Sequence, residues 1–187
     1  LGAKDYLKFT RSILSKTSNK DVSIEVIGDN YDECYRQAIK ISKINKNIRV
    51  KIPITYSNGK STNRLLTNLV QKEIKLNVTA IFTLNQIKKI LPILKNTTTI
   101  LSIFSGRLYD IGIDGAKNFK IMSNYVHKNS KCKTLWASCR MAYDLKTART
   151  SKADIITIAP ESFIKSKKFG YAPLKYSKDT VKGFLAD

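Results

Sequence analysis

Ile48-Arg49-Val50-Lys51-Ile52 and Leu76-Asn77-Val78-Thr79-Ala80-Ile81-Phe82 are short apolar runs separated by a longer stretch, Ser61–Glu73, whose apolar residues recur at helical spacing. Runs of this length read as strands buried on both faces, and a helix between them makes a βα unit of a parallel sheet. The alternation extends in both directions. Strands are expected at Val22–Ile27, Ile48–Ile52, Leu76–Phe82, Thr98–Ile103, Lys133–Ala137 and Asp154–Ile158. Helices are expected at Asn30–Ile44, Ser61–Glu73, Leu84–Leu94, Gly115–His127 and Met141–Ser151, with Lys4–Leu14 forming a helix before the first strand. Loops are short and low-complexity segments are absent, so the reading is one α/β domain over residues 1–187, either a barrel or a doubly wound sheet. Ser177–Asp187 is expected to form a further packing helix bearing Phe184.

Composition narrows the function classes. The 187 residues are 42% hydrophobic and 26% charged, the balance of a soluble globular domain. No apolar run approaches the roughly 20 residues of a membrane span, and Leu1–Tyr6 lacks a basic region followed by an apolar stretch. A cytoplasmic protein without a membrane partner is expected. Cys34, Cys132 and Cys139 are odd in number and lack C-x-x-C spacing, which argues for free thiols and against a disulfide framework or zinc site. The formal net charge of +20 would attract nucleic acid, anionic membrane or small phosphorylated ligands. The lysines are scattered over most helices and turns, together with many Asn and Ile residues. A nucleic-acid footprint should cluster on one element, so the expectation is composition bias and no nucleic-acid partner.

Polar residues at strand C-terminal ends are the candidates for chemistry, because that is where barrel sites form. Glu25 interrupts an apolar strand, Lys51 lies near the end of the next, and Asn77 and Thr79 share one face of the third by period two. Ser102 lies near the end of the fourth strand with Arg107 after it; Ser138 and Arg140 end the fifth. A lysine ammonium is costly to bury, so a lysine among apolar strand residues is suited to act as a neutral amine. Such an amine attacks a ketone to give an imine, whose protonated form accepts electrons when a carbon–carbon bond breaks. Two arginines suit a phosphate dianion, serine hydroxyls complete its shell, and Glu25 can move protons through a water held by Thr79. Each residue also has a plainer reading. Lys51 could be a solvated strand-end side chain and Glu25 an ion-pair partner. The remainder could serve as backbone hydrogen bonders or surface charges.

Val22-Ser23-Ile24-Glu25-Val26, Val50-Lys51-Ile52-Pro53-Ile54-Thr55, Asn77-Val78-Thr79-Ala80-Ile81-Phe82, Ser102-Ile103-Phe104-Ser105-Gly106-Arg107-Leu108-Tyr109-Asp110 and Ala137-Ser138-Cys139-Arg140 resemble, in order, the successive signatures of transaldolases. The resemblance spans nearly the whole chain. It implies a (β/α)8 barrel, of which about six βα units are present, and a class I mechanism with Lys51 as the Schiff-base lysine. It also implies transfer of a dihydroxyacetone unit between sugar phosphates in the manner of the pentose phosphate pathway, with no metal or organic cofactor. By match of motif, Lys51, Glu25 and Thr79 are catalytic, and Asn77, Ser102, Arg107, Ser138 and Arg140 bind substrate. In this family the C-terminal tail often packs across the barrel or a neighbouring subunit, which implies a homo-oligomer.

Glu25 and Phe104 resemble transaldolases proper; the related fructose 6-phosphate aldolases typically carry glutamine and tyrosine there. The alternatives are such an aldolase, or an inactive basic binding protein on the same fold. The family's first strand, first helix and second strand have no counterpart before Leu1, nor do their acid/base aspartate and substrate-contacting asparagine. The expectation is therefore an N-terminally truncated barrel. Cys139 stands where phenylalanine is common. Gly59-Lys60-Ser61 imitates the end of a P-loop, but Ile54 replaces its first glycine, so a turn is expected. His127 is expected to be a helix-end surface residue and Trp136 to be core.

Overall fold

The two strands read first lie side by side. In the computed structural model, which describes residues 6–17 and 20–186, β2 (Ile48–Pro53) pairs in parallel with β3 (Leu76–Ile81), Lys51 opposite Asn77. β1 (Val22–Glu25) joins the other edge of β2, and β4 (Ile100–Ile103), β5 (Lys133–Trp136) and β6 (Ile155–Ile156) continue beyond β3. Every pairing is parallel and spatial order equals chain order. A doubly wound sheet would reverse direction at a switch point. Instead the sheet curls steadily into part of a (β/α)8 barrel.

The helices between strands follow from local signals. α2 (Tyr31–Ser42) is capped by the Asn30 side chain, which accepts from the Glu33 amide, and α3 is Asn63–Gln71. α4 (Leu84–Leu94) starts in a capping box of Thr83 and Gln86. α5 is Ser105–Tyr109, and Asp114 caps α6 (Gly115–Asn129). α7 is Asp144–Thr150. Strand side chains alternate between two cores. Val50, Ile52, Val78, Leu101 and Trp136 pack outward against the helices, while Ile100, Leu135 and Ala137 form a small cluster with Phe104 and Ile155. Trp136 stacks at a tilt on Phe119, 5.1 Å between centroids, as a core residue.

The elements differ from expectation where side chains intervene. β1 ends at Glu25 rather than Ile27, because the Ile27 amide donates to Gln37 Oε1 at 2.7 Å instead of to a strand. β6 is shorter than Asp154–Ile158, and α5 was not foreseen, being too short to show helical periodicity. The first helix, α1, runs Tyr6–Lys16; Lys4 and Asp5 of the expected Lys4–Leu14 lie outside the described residues. Two further helices follow β6. α8 is Pro160–Ser166, and α9 is Pro173–Phe184, starting before Ser177 because Pro173 suits a first helical turn. Asp187, the end of the expected Ser177–Asp187 helix, lies outside the described residues, and no residue of α8 or α9 is buried. Among the described residues no helix is long and apolar enough to cross a membrane.

Two contacts fix the fold around β5. α5 presses against the chain just after β5, with the Gly106 amide donating to the Ala137 carbonyl at 3.3 Å. A β-carbon at Gly106 would sit 1.8 Å from the Ser138 carbonyl oxygen and 2.6 Å from its carbon. Both obstacles are backbone, so they cannot swing aside. Gly106→Ala is expected to cost about 1–3 kcal/mol by overpacking and to lower the thermal midpoint by several degrees; an unchanged midpoint would show that α5 is free to move off β5.

At the other end of β5, Asp154 Oδ2 accepts from the Thr134 amide at 2.7 Å and its hydroxyl at 3.0 Å, and meets His127 Nε2 at 2.8 Å. Burial pushes this carboxyl up, but the hydrogen bonds from Thr134 and His127 outweigh burial and hold it below its ordinary value. A lowered carboxyl pKa gives stability that is complete above the unfolded value and is lost as pH falls through the folded one. Asp154→Asn should therefore melt earlier than the parent at neutral pH. The gap between the two should narrow as pH falls through the ordinary carboxylate range and below it. A constant gap in thermal denaturation would mean that the carboxylate charge contributes nothing.

Candidate active site

A cavity of about 420 Å³ opens at the C-terminal ends of the strands, lined by Lys51, Asn77, Thr79, Ser102, Arg107 and Ser138 among others. Register explains most of this convergence. Glu25 lies opposite Lys51 and Lys51 opposite Asn77, so three adjacent strands present polar side chains at one level. A slightly larger indentation of about 450 Å³, between Lys165 and Tyr176, lacks this set of convergent groups.

Lys51 lies between apolar neighbours, Val50 and Ile52, yet its own side chain is 27% exposed and its Nζ reaches Glu25 Oε2 at 3.2 Å. The carboxylate is thus the ion-pair partner of the amine. Asn77 is buried beside it. Its Nδ2 donates to Ser23 Oγ at 2.9 Å and its Oδ1 accepts from Ser102 Oγ at 2.7 Å. The two serines fix the amide orientation and form a bridge from β1 to β4 across the cavity floor.

Thr79 follows Asn77 by period two, opposite Pro53 of β2, and a local irregularity comes directly after it. The β3–β4 register shifts between Val78 and Ile81, and Ala80 takes a left-handed conformation with φ 59°. A bulge of this kind re-aims the side chains beside it, at a cost in strain. Thr79 Oγ1 lines the cavity and is buried without a protein hydrogen-bond partner, an arrangement that calls for a partner from elsewhere.

The anion-binding candidates divide. Arg107, on α5, lines the cavity with its guanidinium 5.3 Å from the centroid of Phe104, which lines it too. Ser138 lies against α5 at Gly106, in the left-handed region with φ 63°. Arg140 does not line the cavity. Its guanidinium forks onto Asp110, Nε to Oδ1 at 3.1 Å and Nη2 to Oδ2, and its amide donates to Asp144 Oδ2 at 2.6 Å. The Cys139 thiol between these residues is pushed up to about 12, first by burial and then by the Asp144 charge, so it stays protonated and inert at neutral pH. Ser23 and Thr157, the latter also lining the cavity, were not singled out from sequence. Ser23 lies two residues before Glu25, and period two alone would have placed it on the same face. Among the described residues no cluster of three metal-ligating side chains occurs.

Residues 4–184 match the family model described as transaldolase/fructose-6-phosphate aldolase. A probable transaldolase of Carboxydothermus hydrogenoformans is 33% identical over 167 residues, which are 89% of this chain and 72% of that protein. A probable transaldolase of Brucella melitensis is 30% identical over 185 residues, 98% of this chain and 79% of the relative. A protein named probable transaldolase 2 from Listeria monocytogenes is 36% identical over 170 residues, covering 89% and 71% respectively. Sequential parallel strands, a polar cavity at their C-terminal ends and a match over nearly every residue lead to one family: this chain belongs to the transaldolase/fructose-6-phosphate aldolase family.

Proposed function

We propose that this protein is a transaldolase acting on sugar phosphates through a Schiff base at Lys51. The observation that carries this reading is the placement of Lys51 on the cavity wall, beside a carboxylate and an unpartnered buried hydroxyl. Lys51 Nζ, as the free amine, adds to the ketone carbon of fructose 6-phosphate, and the carbinolamine loses water to give a protonated imine. The hydroxyl on the fourth carbon gives its proton to water as the bond between the third and fourth carbons breaks, the electron pair of that bond passing into the iminium. Glyceraldehyde 3-phosphate leaves, and a dihydroxyacetone enamine remains on Lys51. Attack of this enamine on an acceptor aldehyde forms the new carbon–carbon bond, and hydrolysis frees the amine.

The neighbouring residues divide the remaining tasks. Glu25 moves protons during imine formation and hydrolysis through a water that Thr79 Oγ1 holds. Asn77, oriented by Ser23 and Ser102, hydrogen-bonds the hydroxyls of the dihydroxyacetone unit. Arg107 and Ser138 take the phosphate, and Arg140 joins when the dianion competes with Asp110 for its guanidinium. Fructose 6-phosphate cleavage to free dihydroxyacetone is the second reading. Phe104 disfavours it, since a phenyl ring in the cavity has no hydroxyl with which to move a proton.

Incubation with fructose 6-phosphate followed by borohydride and mass spectrometry should find a reduced dihydroxyacetone adduct on Lys51, absent from Lys51→Met. A folded protein without an adduct would refute the mechanism, and an adduct retaining the whole sugar would mean capture without cleavage. Turnover should need an aldehyde acceptor such as erythrose 4-phosphate; full turnover with donor alone would favour the aldolase reading. Glu25→Gln is expected to slow turnover by about 10²-fold or more while still permitting the adduct. Arg107→Ala should raise KM for the phosphorylated donor about 10- to 100-fold, the loss expected for hydrogen bonds between charged groups. Equal KM values for the variant and the parent would remove Arg107 from phosphate binding.

A further inference from the structure

Eight of the lysines that look scattered along the chain are brought to one face by the fold. In a parallel barrel every helix ends, and every strand begins, at the face opposite the active-site cavity. Lys43 and Lys46 follow α2, Lys72 and Lys75 follow α3, and Lys95 follows α4, all exposed. Lys131 and Lys133 after α6, and Lys152 after α7, are exposed as well. The loops that carry them touch. The Lys75 ammonium donates to the Lys46 carbonyl at 3.0 Å, and the Lys131 amide to the Lys95 carbonyl at 2.8 Å. Two shallow concavities, one including Asn45 and Lys46 and the other Arg49 and Thr98, share Glu73, Ile74 and Lys75 and so form one trough.

The anions on this face do little to neutralise it. Asp21 is bonded to Arg49 at 2.6 Å, and Asp154 is held by Thr134 and His127, which leaves Glu73. Among the described residues, Asp32 and Glu33 in the first turn of α2 and Asp144 in the first turn of α7 lie at the opposite end. Compensation of helix dipoles accounts for cations in the last helical turn only. α3 and α4 have no basic residue there, and Lys46, Lys75, Lys131 and Lys133 lie past the helix ends. Lys152 also occupies a left-handed position, φ 65°, where glycine is the least strained choice.

We propose that this face, remote from the cavity, binds the phosphate backbone of a nucleic-acid duplex without reading its sequence. Exposed lysines and the polar Asn45, Asn96 and Thr98 suit phosphate and sugar contacts. None of the exposed large apolar side chains of the described residues lies in these loops. Bases therefore have no stacking platform as single-strand binding requires, and a bilayer has no apolar anchor.

The test is fluorescence anisotropy of the whole protein with a labelled random-sequence duplex of about 20 base pairs, titrated between about 50 and 200 mM KCl. The expected result is saturable binding that weakens about 10³-fold across that range if about six phosphates are neutralised. The triple variant Lys46→Glu, Lys75→Glu, Lys131→Glu should lose at least tenfold in affinity. The set Lys60→Glu, Lys117→Glu, Lys167→Glu makes the same change in net charge elsewhere and should lose far less. Because Lys75 also braces the Lys46 loop, Lys46→Gln, Lys75→Gln, Lys131→Gln is measured alongside, with thermal melts of each variant, and should show a smaller loss in the same direction. Equal losses in the two Glu sets, or no duplex binding at low salt, overturns the proposal. So does binding to phosphatidylserine vesicles by a protein that ignores the duplex, which would make the face a membrane contact.

Discussion

The parallel register of β1, β2 and β3 is the constraint on which the cavity depends. It sets Glu25, Lys51 and Asn77 abreast, and backbone hydrogen bonds such as Val26 N to Lys51 O at 3.1 Å and Ile54 N to Thr79 O at 2.9 Å lock that level in place. A slip of one residue would turn every side chain to the other face. Lys51 would enter the helix layer, and Val50 would replace it in the cavity. The register is enforced by the outward row, where Ile24, Val50, Ile52 and Val78 are all buried against helices. The apolar packing on one side of the sheet thus holds the chemistry on the other.

Regular strands bring Lys51, Asn77, Thr79 and Ser102 to the cavity, and departures from regularity lie beside them. The left-handed Ala80 and the shifted β3–β4 register come directly after Thr79. The left-handed Ser138 and the close seat of Gly106 bring Arg107 to the opposite wall. Strain of this kind is kept only where the surroundings over-determine it. Here the surroundings are a β3 buried at every residue but Ala80 on one side and a backbone-to-backbone contact on the other.

Strand existence and order were legible in the sequence because Val-, Ile- and Leu-rich runs of four to six residues alternate with amphipathic helices. Lys51, Asn77, Thr79, Ser102, Arg107 and Ser138 were legible as polar interruptions at strand ends, and the cavity brings them together. Arg140 was legible as a cation near the mouth, but its engagement by Asp110, thirty residues earlier in the chain, was not, since ion pairs across loops leave no periodic trace. Ser23 was hidden because a serine in a strand is an ordinary residue until Asn77 is found to donate to it. The basic face was hidden for a different reason. Its lysines are distant in sequence, and only the repeat of the βα unit brings them together.

The two helices beyond β6 carry a consequence of their own. A seven-residue and a twelve-residue helix without a buried side chain draw almost nothing from tertiary burial, and isolated helices of that length are marginal in water. Their amides should exchange with solvent through local openings that cost little, while amides of β2 and β3, buried on both faces, exchange only when the sheet itself opens. The molecule therefore has two tiers of cooperativity. Its C-terminal arm can melt and re-form many times within a single lifetime of the folded barrel.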